Sequence, residues 1–175
     1  MLMPNQPAPA LSVPLLQGGT WTLAERRPER FTIVVFYRGK HCPICRDYLQ
    51  SIEAQIDDIA AAGINILAVS MDSAERARTA AEDWGISRLP LGFDMSEATA
   101  REWGLYISSQ RPGSQEPARF SEPGTMVIRP DGTMFFMAVQ SAPFTRPAID
   151  ALLRGLDFAA RNDYPARGDL TAAAA

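Results

Sequence analysis

The residues of this chain best suited to chemistry are its only two cysteines, Cys42 and Cys45, which are three positions apart. Residues at i and i+3 lie on one face of a helical turn, with Cα atoms near the roughly 5.5 Å that a disulfide requires. One thiol of such a pair can attack an oxidised substrate, and the other can then close an internal disulfide. The spacing therefore predicts a redox-active dithiol.

The residues ahead of the cysteines predict where the pair lies. Residues 31–37 form an unbroken apolar and β-branched run, typical of a strand buried on both faces, and Gly39 then releases the chain into a helix that begins near Cys42. The free amides and the dipole of a helix N-terminus stabilise a thiolate and lower its pKa. Because Cys45 lies one turn inside the helix, we expect Cys42 to be the exposed, attacking sulfur.

Basic residues around the pair would also favour a thiolate. The candidate supporting residues are Arg38, His41, Pro43 and Arg46, with Lys40 adding to the positive charge. His41, the only histidine, could donate a proton or act as an electrostatic partner, or could be a solvent-exposed loop residue. Pro43 has no amide N–H, which weakens the activation of Cys42. Arg38 and Arg46 could hold a thiolate or an anionic substrate, or could simply be solvated.

A buried or metal-bound pair is the alternative to a redox pair. Tetrahedral zinc needs four ligands, and only His41 and carboxylates accompany the cysteines, so we expect neither a metal nor a bound cofactor. A disulfide between two cysteines three positions apart would not link distant parts of the fold. In a reducing compartment such pairs are more often redox-active or metal-binding than structural.

Length and composition set the outer limits. The 175 residues are 46% hydrophobic and 21% charged, which suits a single domain over residues 1–175, with an extended lead-in at 1–10 and a frayed tail at 165–175. The formal net charge of −3 argues against a nucleic-acid surface. Because the sequence has no apolar run long enough to span a membrane and no signal-peptide pattern, we expect a cytoplasmic protein without a membrane partner.

Strands alternate with helices along the chain. The predicted strands are residues 11–16, 20–23, 31–37, 64–71, 89–93, 105–108, 125–128 and 133–138. The predicted helices are residues 43–61, 72–84, 96–103 and 149–161, the second of them opened by a capping box from Asp72 to Glu75. Residues 109–122 are predicted to be a loop. The order of strand, helix, strand and helix requires parallel pairing and puts the cysteines at the carboxyl edge of a strand.

These features resemble the thioredoxin fold and, more closely, the peroxiredoxin-like branch of the alkyl hydroperoxide reductase and thiol-specific antioxidant family. The motifs that carry the resemblance are Pro9-Ala10-Leu11, Val35-Phe36-Tyr37-Arg38-Gly39, His41-Cys42-Pro43-Ile44-Cys45-Arg46, Ala68-Val69-Ser70 and Val127-Ile128-Arg129-Pro130-Asp131-Gly132. The resemblance covers roughly residues 7–160. It implies an α/β, thioredoxin-like fold, with a central mixed sheet flanked by helices and an N-terminal hairpin.

The resemblance also implies a thiol-dependent oxidoreductase with an antioxidant role. Its substrate would be a hydroperoxide or a protein disulfide, and its partner a thiol reductant system of the thioredoxin or glutathione type. In the thioredoxin-like arrangement Cys42 attacks and Cys45 resolves. In the peroxiredoxin alignment Cys45 is peroxidatic and Cys42 resolving, but Arg38 then stands where the family has proline, and Cys42 where it has a hydroxyl residue.

A further departure concerns the arginine that peroxiredoxins direct at the reactive sulfur. Pro123-Gly124 occupies its segment here, and Arg119 or Arg129 could substitute for it. Without oriented donors on the O–O bond, peroxide reduction would be slow. The alternative from another class is a redox-inert binding module of the same fold. The Phe135-Phe136-Met137 run is a candidate homodimer contact.

Overall fold

The computed structural model describes residues 2–170 of the chain. Strands within this range are β1 (Ser12–Pro14), β2 (Thr20–Thr22), β3 (Phe31–Phe36), β4 (Ile64–Val69), β5 (Leu91–Gly92), β6 (Ile107–Ser109), β7 (Arg119–Ser121), β8 (Gly124–Ile128) and β9 (Met134–Val139). The α-helices are α1 (Pro43–Glu53), α2 (Ile56–Ala61), α3 (Ala74–Trp84), α4 (Glu97–Glu102) and α5 (Ile149–Arg161), and a short 3-10 helix spans Leu23–Glu25.

A five-stranded mixed sheet forms the centre of the molecule, in the order β5-β4-β3-β8-β9. Parallel pairing joins β3 to β4 and β4 to β5, whereas β8 pairs antiparallel with both β3 and β9. The strands β1 and β2 form a separate antiparallel hairpin. The predicted thioredoxin-like α/β fold, with its mixed sheet and N-terminal hairpin, is confirmed.

The central strand β3 is buried along its whole length because both faces of the sheet are covered. Ile33 and Val35 belong to one core, which includes residues of α1, α3 and α5. Val34 and Phe36 belong to a second core, which includes residues of the N-terminal hairpin and α4. Burial on two faces explains why the sequence of this strand shows no alternation.

Two predicted helix boundaries are corrected. The helix expected over residues 43–61 is two helices, because Gln55 leaves the helical region (φ −113°, ψ 13°) and interrupts the ladder. The cap of α3 is Ser73, not Asp72, since the Ser73 side chain accepts a hydrogen bond from the Arg76 amide. The Asp72 carboxylate is instead used at the cysteine loop.

The prediction of a loop over residues 109–122 is also wrong in part. Residues 119–121 form β7, which pairs antiparallel with β6. This strand has three residues with arginine and serine at its ends, so it lacks the alternating apolar pattern by which strands are recognised.

The two ends of the described chain lie against each other and against β9. In the lead-in, the Asn5 amide donates to the Met134 carbonyl at 2.8 Å, and the Asn5 side chain donates to Asp169 at 2.7 Å. Ala166 is 4% exposed, so the predicted tail packs at this residue, whereas its neighbours in residues 165–170 are exposed and form no regular element. The rest of that tail, residues 171–175, lies outside the described residues. Within residues 2–170, no helix is long and apolar enough to cross a membrane.

Candidate active site

The cysteine pair lies where β3 passes into α1. Cys42 is the N-cap of this helix, with an extended backbone (φ −105°, ψ 103°), and its Sγ accepts a hydrogen bond from the Cys45 amide at 3.2 Å. Pro43 occupies the first helical position, where a missing N–H costs little because that amide would have no helical partner. The predicted position of Cys42 at the helix start is confirmed.

The loop ahead of Cys42 is held by the carboxylate of Asp72. Its Oδ2 accepts a hydrogen bond from the Lys40 amide at 2.6 Å, and its Oδ1 accepts one from Arg76 Nε at 2.8 Å. Gly39 has a φ of +122° and lies so close that a Cβ would come within 2.6 Å of Oδ2. Conformation and space therefore both require glycine at this position.

The two cysteines touch each other and are enclosed by protein. They are adjacent and not joined by a disulfide, and Cys42 is 1% exposed and Cys45 0% exposed. Both belong to the hydrophobic core that contains Tyr37 and Leu49. The expectation of an exposed Cys42 is wrong, because its side chain packs into this core, although the neighbouring Pro43 and Ile44 are exposed.

An arginine from the far end of the chain reaches the second cysteine. Arg146, in the connection between β9 and α5, donates a hydrogen bond from Nη2 to Cys45 Sγ at 3.0 Å. Its Nε and Nη1 are buried and have no hydrogen-bond partner in the part of the chain that the structure describes. Buried donors without partners are uncommon in proteins, so the guanidinium retains capacity to bind a further acceptor.

Arg146 is the site residue that sequence reasoning missed. The two suggested substitutes are engaged elsewhere, since Arg119 donates to Glu97 at 2.8 Å and Arg129 donates to Asn5 at 2.8 Å. Arg146 is 101 residues from its cysteine partner and lies in an irregular connection, where no periodicity or motif marks it. Its place just before the last helix is the one signal that could have drawn attention to it.

The two thiols titrate as a pair. Because they are in contact, the first proton lost leaves a charge that opposes the loss of the second. The hydrogen bond from the Cys45 thiol is the largest effect that lowers the pKa of Cys42, from 9.0 to about 6; the Cys45 amide and Arg146 add to it, and burial opposes it. Burial, followed by the interaction with Cys42, raises the pKa of Cys45. The pair at neutral pH is therefore a Cys42 thiolate beside a Cys45 thiol.

Arg38 is bound to two acidic residues of the segment around β7. Its Nη2 lies 3.2 Å from Glu116 Oε1, and its Nε lies 3.1 Å from Glu122 Oε2. The second contact is an ion pair without hydrogen-bond alignment, since neither of its two atoms has a hydrogen-bond partner in residues 2–170. The guanidinium carbon also lies 4.7 Å from the ring centroid of Phe120. Arg38 thus ties the cysteine loop to this segment, and its charge is matched by carboxylates.

The remaining candidate residues lie around the same loop. His41 packs on Phe120, with 4.7 Å between the ring centroids, and burial followed by the charge of Arg38 lowers its pKa to about 4. The imidazole is therefore neutral at pH 7. Arg46 is largely exposed and pairs with Asp47 at 2.9 Å. Among the described residues, no group of three or more His, Cys, Asp or Glu side chains could hold a metal ion.

The central sheet is thioredoxin-like, and two free cysteines lie at the start of α1. The model of the AhpC/TSA family matches residues 4–137, and this family indicates a thiol-dependent peroxidase or oxidoreductase. The chain belongs to this family, and the resemblance drawn from its motifs is confirmed.

Known relatives agree with this family, and solved structures agree with the fold. Two curated relatives from Mycobacterium tuberculosis strains, described as inferred peroxiredoxins, are 30% identical over 112 residues, which is 64% of this chain and 70% of each relative. The structure of peroxidoxin BcpB from the same species has a TM-score of 0.72 at 18% identity, covering 90% of this chain and 98% of that one. Enterococcus faecalis AhpC has a TM-score of 0.73 at 16% identity, covering 93% and 97%. At these identities the structures show the fold alone.

Proposed function

We propose that this protein reduces hydroperoxides with its Cys42–Cys45 dithiol and is then restored by an external thiol system of the thioredoxin or glutathione type. The observation that carries the proposal is the hydrogen-bonded pair, in which Cys42 Sγ accepts from the Cys45 amide and its pKa is lowered to about 6. The thiolate is the nucleophilic form of cysteine, so Cys42 is poised to attack at neutral pH. Membership of the AhpC/TSA family supports the same reading.

The reaction proceeds in three balanced steps. The Cys42 thiolate attacks one oxygen of the hydroperoxide, the O–O bond breaks, and the leaving alkoxide or hydroxide takes up a proton to become an alcohol or water. Cys42 is now a sulfenic acid. The Cys45 sulfur attacks the Cys42 sulfur and a disulfide forms, while the Cys45 proton and the sulfenic hydroxyl leave as water. The external thiols then supply two electrons and two protons, which reduce the disulfide to two thiols, and are themselves oxidised to a disulfide.

Arg146 is suited to assist the first step. Its Nε and Nη1 are buried donors without partners in residues 2–170, and its Nη2 already donates a hydrogen bond to Cys45 Sγ. A positive charge and free N–H groups stabilise the negative charge that moves onto the leaving oxygen. The arginine of the family is missing from its expected segment, and we infer that Arg146 supplies the oriented donors in its place.

The enclosure of both thiols favours a small substrate. With Cys42 1% exposed, a protein disulfide could reach the sulfur only after the start of α1 had opened, whereas hydrogen peroxide or a small organic hydroperoxide needs a much smaller opening. We therefore favour hydroperoxides over protein disulfides as the oxidising substrate.

A second candidate mechanism has Cys45 as the peroxidatic residue and Cys42 as the resolving one. One observation favours it, namely the hydrogen bond of 3.0 Å from Arg146 Nη2 to Cys45 Sγ. Against it stands the pKa of the Cys45 thiol, which burial and the interaction with Cys42 raise. Exposure does not separate the two sulfurs, since Cys42 is 1% and Cys45 0% exposed. Both mechanisms end in the same disulfide, so they differ in the identity of the first sulfur to react.

The Cys42→Ser and Cys45→Ser variants test the proposal. Each is mixed with hydrogen peroxide, and the sulfenic acid is trapped with dimedone and located by mass spectrometry; insulin reduction is measured in parallel. We expect Cys45→Ser to complete one turnover with the label on Cys42, and Cys42→Ser to be inert. A label on Cys45 in Cys42→Ser would establish the second mechanism. Failure of the wild-type protein in both assays would identify a redox-inert binding module.

A further inference from the structure

We propose that Tyr48 is a positioning residue that holds the guanidinium of Arg146 against the cysteine pair. The inference deepens the proposed function and rests on it, since Arg146 is the group that assists the thiol. Tyr48 lies on α1, one turn after Cys45, and so faces the same side of the helix as the pair.

Two contacts connect Tyr48 with the segment of Arg146. The phenol O–H donates a hydrogen bond to the carbonyl of Pro147 at 2.9 Å, which fixes the backbone immediately after the arginine. The guanidinium carbon of Arg146 lies 5.5 Å from the centroid of the tyrosine ring, within the range of a cation–π interaction. One side chain therefore holds both the backbone and the charged group.

The surroundings of Arg146 explain why such a residue is needed. Residues 140–148 form neither helix nor strand, and Phe144 in this connection is 77% exposed, so regular structure does not fix the arginine. Arg38 is held by two carboxylates, but no carboxylate lies within salt-bridge distance of Arg146 in the described part of the chain. A tyrosine holds a cation without neutralising it. The full positive charge therefore remains for the thiolate and for the substrate.

The chemical state of the phenol suits this role. Burial raises the pKa of Tyr48, while a hydrogen-bonding contact with Thr125 and the charge of Arg146 lower it by less. The hydroxyl therefore keeps its proton at neutral pH and remains a donor to the Pro147 carbonyl. A neutral donor adds no negative charge that would compete with the thiolate for the guanidinium.

Tyr48→Phe tests the inference, because it removes the hydroxyl and keeps the ring. Tyr48→Phe is combined with Arg146→Ala in a double-mutant cycle. The matched control is Tyr106→Phe, which makes the same change at an exposed tyrosine. The readouts are kcat/KM for hydrogen peroxide and the rate of Cys42 alkylation by iodoacetamide against pH. We expect Tyr48→Phe to lower kcat/KM roughly five- to tenfold, the effect of one lost hydrogen bond, and to raise the pH of the alkylation inflection. Tyr106→Phe should match wild type.

The cycle separates positioning from general stability. If Tyr48 acts through Arg146, then Tyr48→Phe should change neither readout when Arg146 is already alanine. An equal effect of Tyr48→Phe in both backgrounds would overturn the inference. If the wild-type protein does not turn over peroxide, the proposed function fails. The alkylation cycle then decides the inference by itself, because it needs no peroxide.

Discussion

Removal of the Arg146 guanidinium should raise the pKa of Cys42 by about one unit. A hydrogen bond to a charged group contributes about 1.5–3 kcal/mol, and one pKa unit corresponds to about 1.4 kcal/mol. The Arg146 hydrogen bond of 3.0 Å is made to Cys45 Sγ, and both the charge of Arg146 and a hydrogen-bonding contact with it lower the pKa of Cys42. Since these are the smallest of the effects on Cys42, the lower end of that range applies. The pKa of Cys42 should then move from about 6 to roughly 7 in Arg146→Ala.

This shift predicts a distinctive dependence on pH. At pH 6 the thiolate fraction of Cys42 should fall about fivefold, from roughly 50% to roughly 10%. At pH 8 it should hardly change, because the thiol is at least about 90% ionised in both proteins. Arg146→Lys retains a positive charge and should shift the pKa less. The assay is the rate of iodoacetamide labelling of Cys42 between pH 5 and pH 9, followed by mass spectrometry.

The same variant separates the two roles assigned to Arg146. At pH 8, Cys42 is ionised both in the wild-type protein and in Arg146→Ala. Any remaining loss in the rate of peroxide reduction there measures how far Arg146 stabilises the leaving oxygen. We expect a loss of about 10²-fold there, typical of one removed donor to a developing oxyanion. An unchanged alkylation inflection in Arg146→Ala would refute the electrostatic argument. Unchanged peroxide kinetics at pH 8 would refute the donor role.

Three further predictions concern stability. The pKa of His41 in the folded protein is about 4, below the ordinary 6.5, so the unfolded state takes up the proton first as pH falls. The free energy of unfolding should therefore decline between pH 6.5 and 4, by at most about 1.4 kcal/mol per pH unit. His41→Gln should flatten this decline in urea titrations. Arg38→Met leaves the buried carboxylate of Glu122 without its ion pair and should lower the free energy of unfolding by about 3–5 kcal/mol. The control Arg119→Met removes an exposed ion pair and should lower it by no more than about 1 kcal/mol in the same urea titration. Gly39→Ala should lower the melting temperature more than Gly132→Ala, since both have positive φ but a Cβ meets a carboxylate only at position 39; equal losses would contradict this.

The sequence predicted the fold and the cysteine pair because the relevant signals are local. β3 was recognisable as a run buried on both faces, and the position of Cys42 at the helix start followed from this strand and from Gly39 after it. The parallel pairing of β3 with β4 followed from the order of strands and helices, and the mixed sheet followed from the family resemblance. In each case neighbouring residues carry the information, through periodicity, through the backbone geometry of glycine or through local motifs.

The environment of the cysteines could not be predicted in the same way. Arg146 reaches Cys45 across 101 residues of chain, and its contact depends on the path of an irregular connection. The burial of Cys42 depends on how closely α1 packs into the core, which a helix-start position leaves open. Arg38 was predicted to be a supporting cation, but its carboxylate partners lie in a segment predicted to be a loop and could not be foreseen. Long-range packing decides all three features.

The location of Arg146 on Cys45, while the thiolate is on Cys42, fits a sequence of two nucleophilic steps. In the resting pair, the interaction with Cys42 contributes to the raised pKa of Cys45, so Cys45 stays protonated and donates to its neighbour. Oxidation of Cys42 to a neutral sulfenic acid removes that charge, whereas Arg146 remains 3.0 Å from Cys45 Sγ. Burial, the largest cause of the raised pKa of Cys45, persists, but the charge of Cys42 no longer adds to it and the cation is still present. On the proposed function, we therefore expect the pKa of Cys45 to fall once Cys42 has reacted, so that the arginine on the second sulfur assists the resolving step.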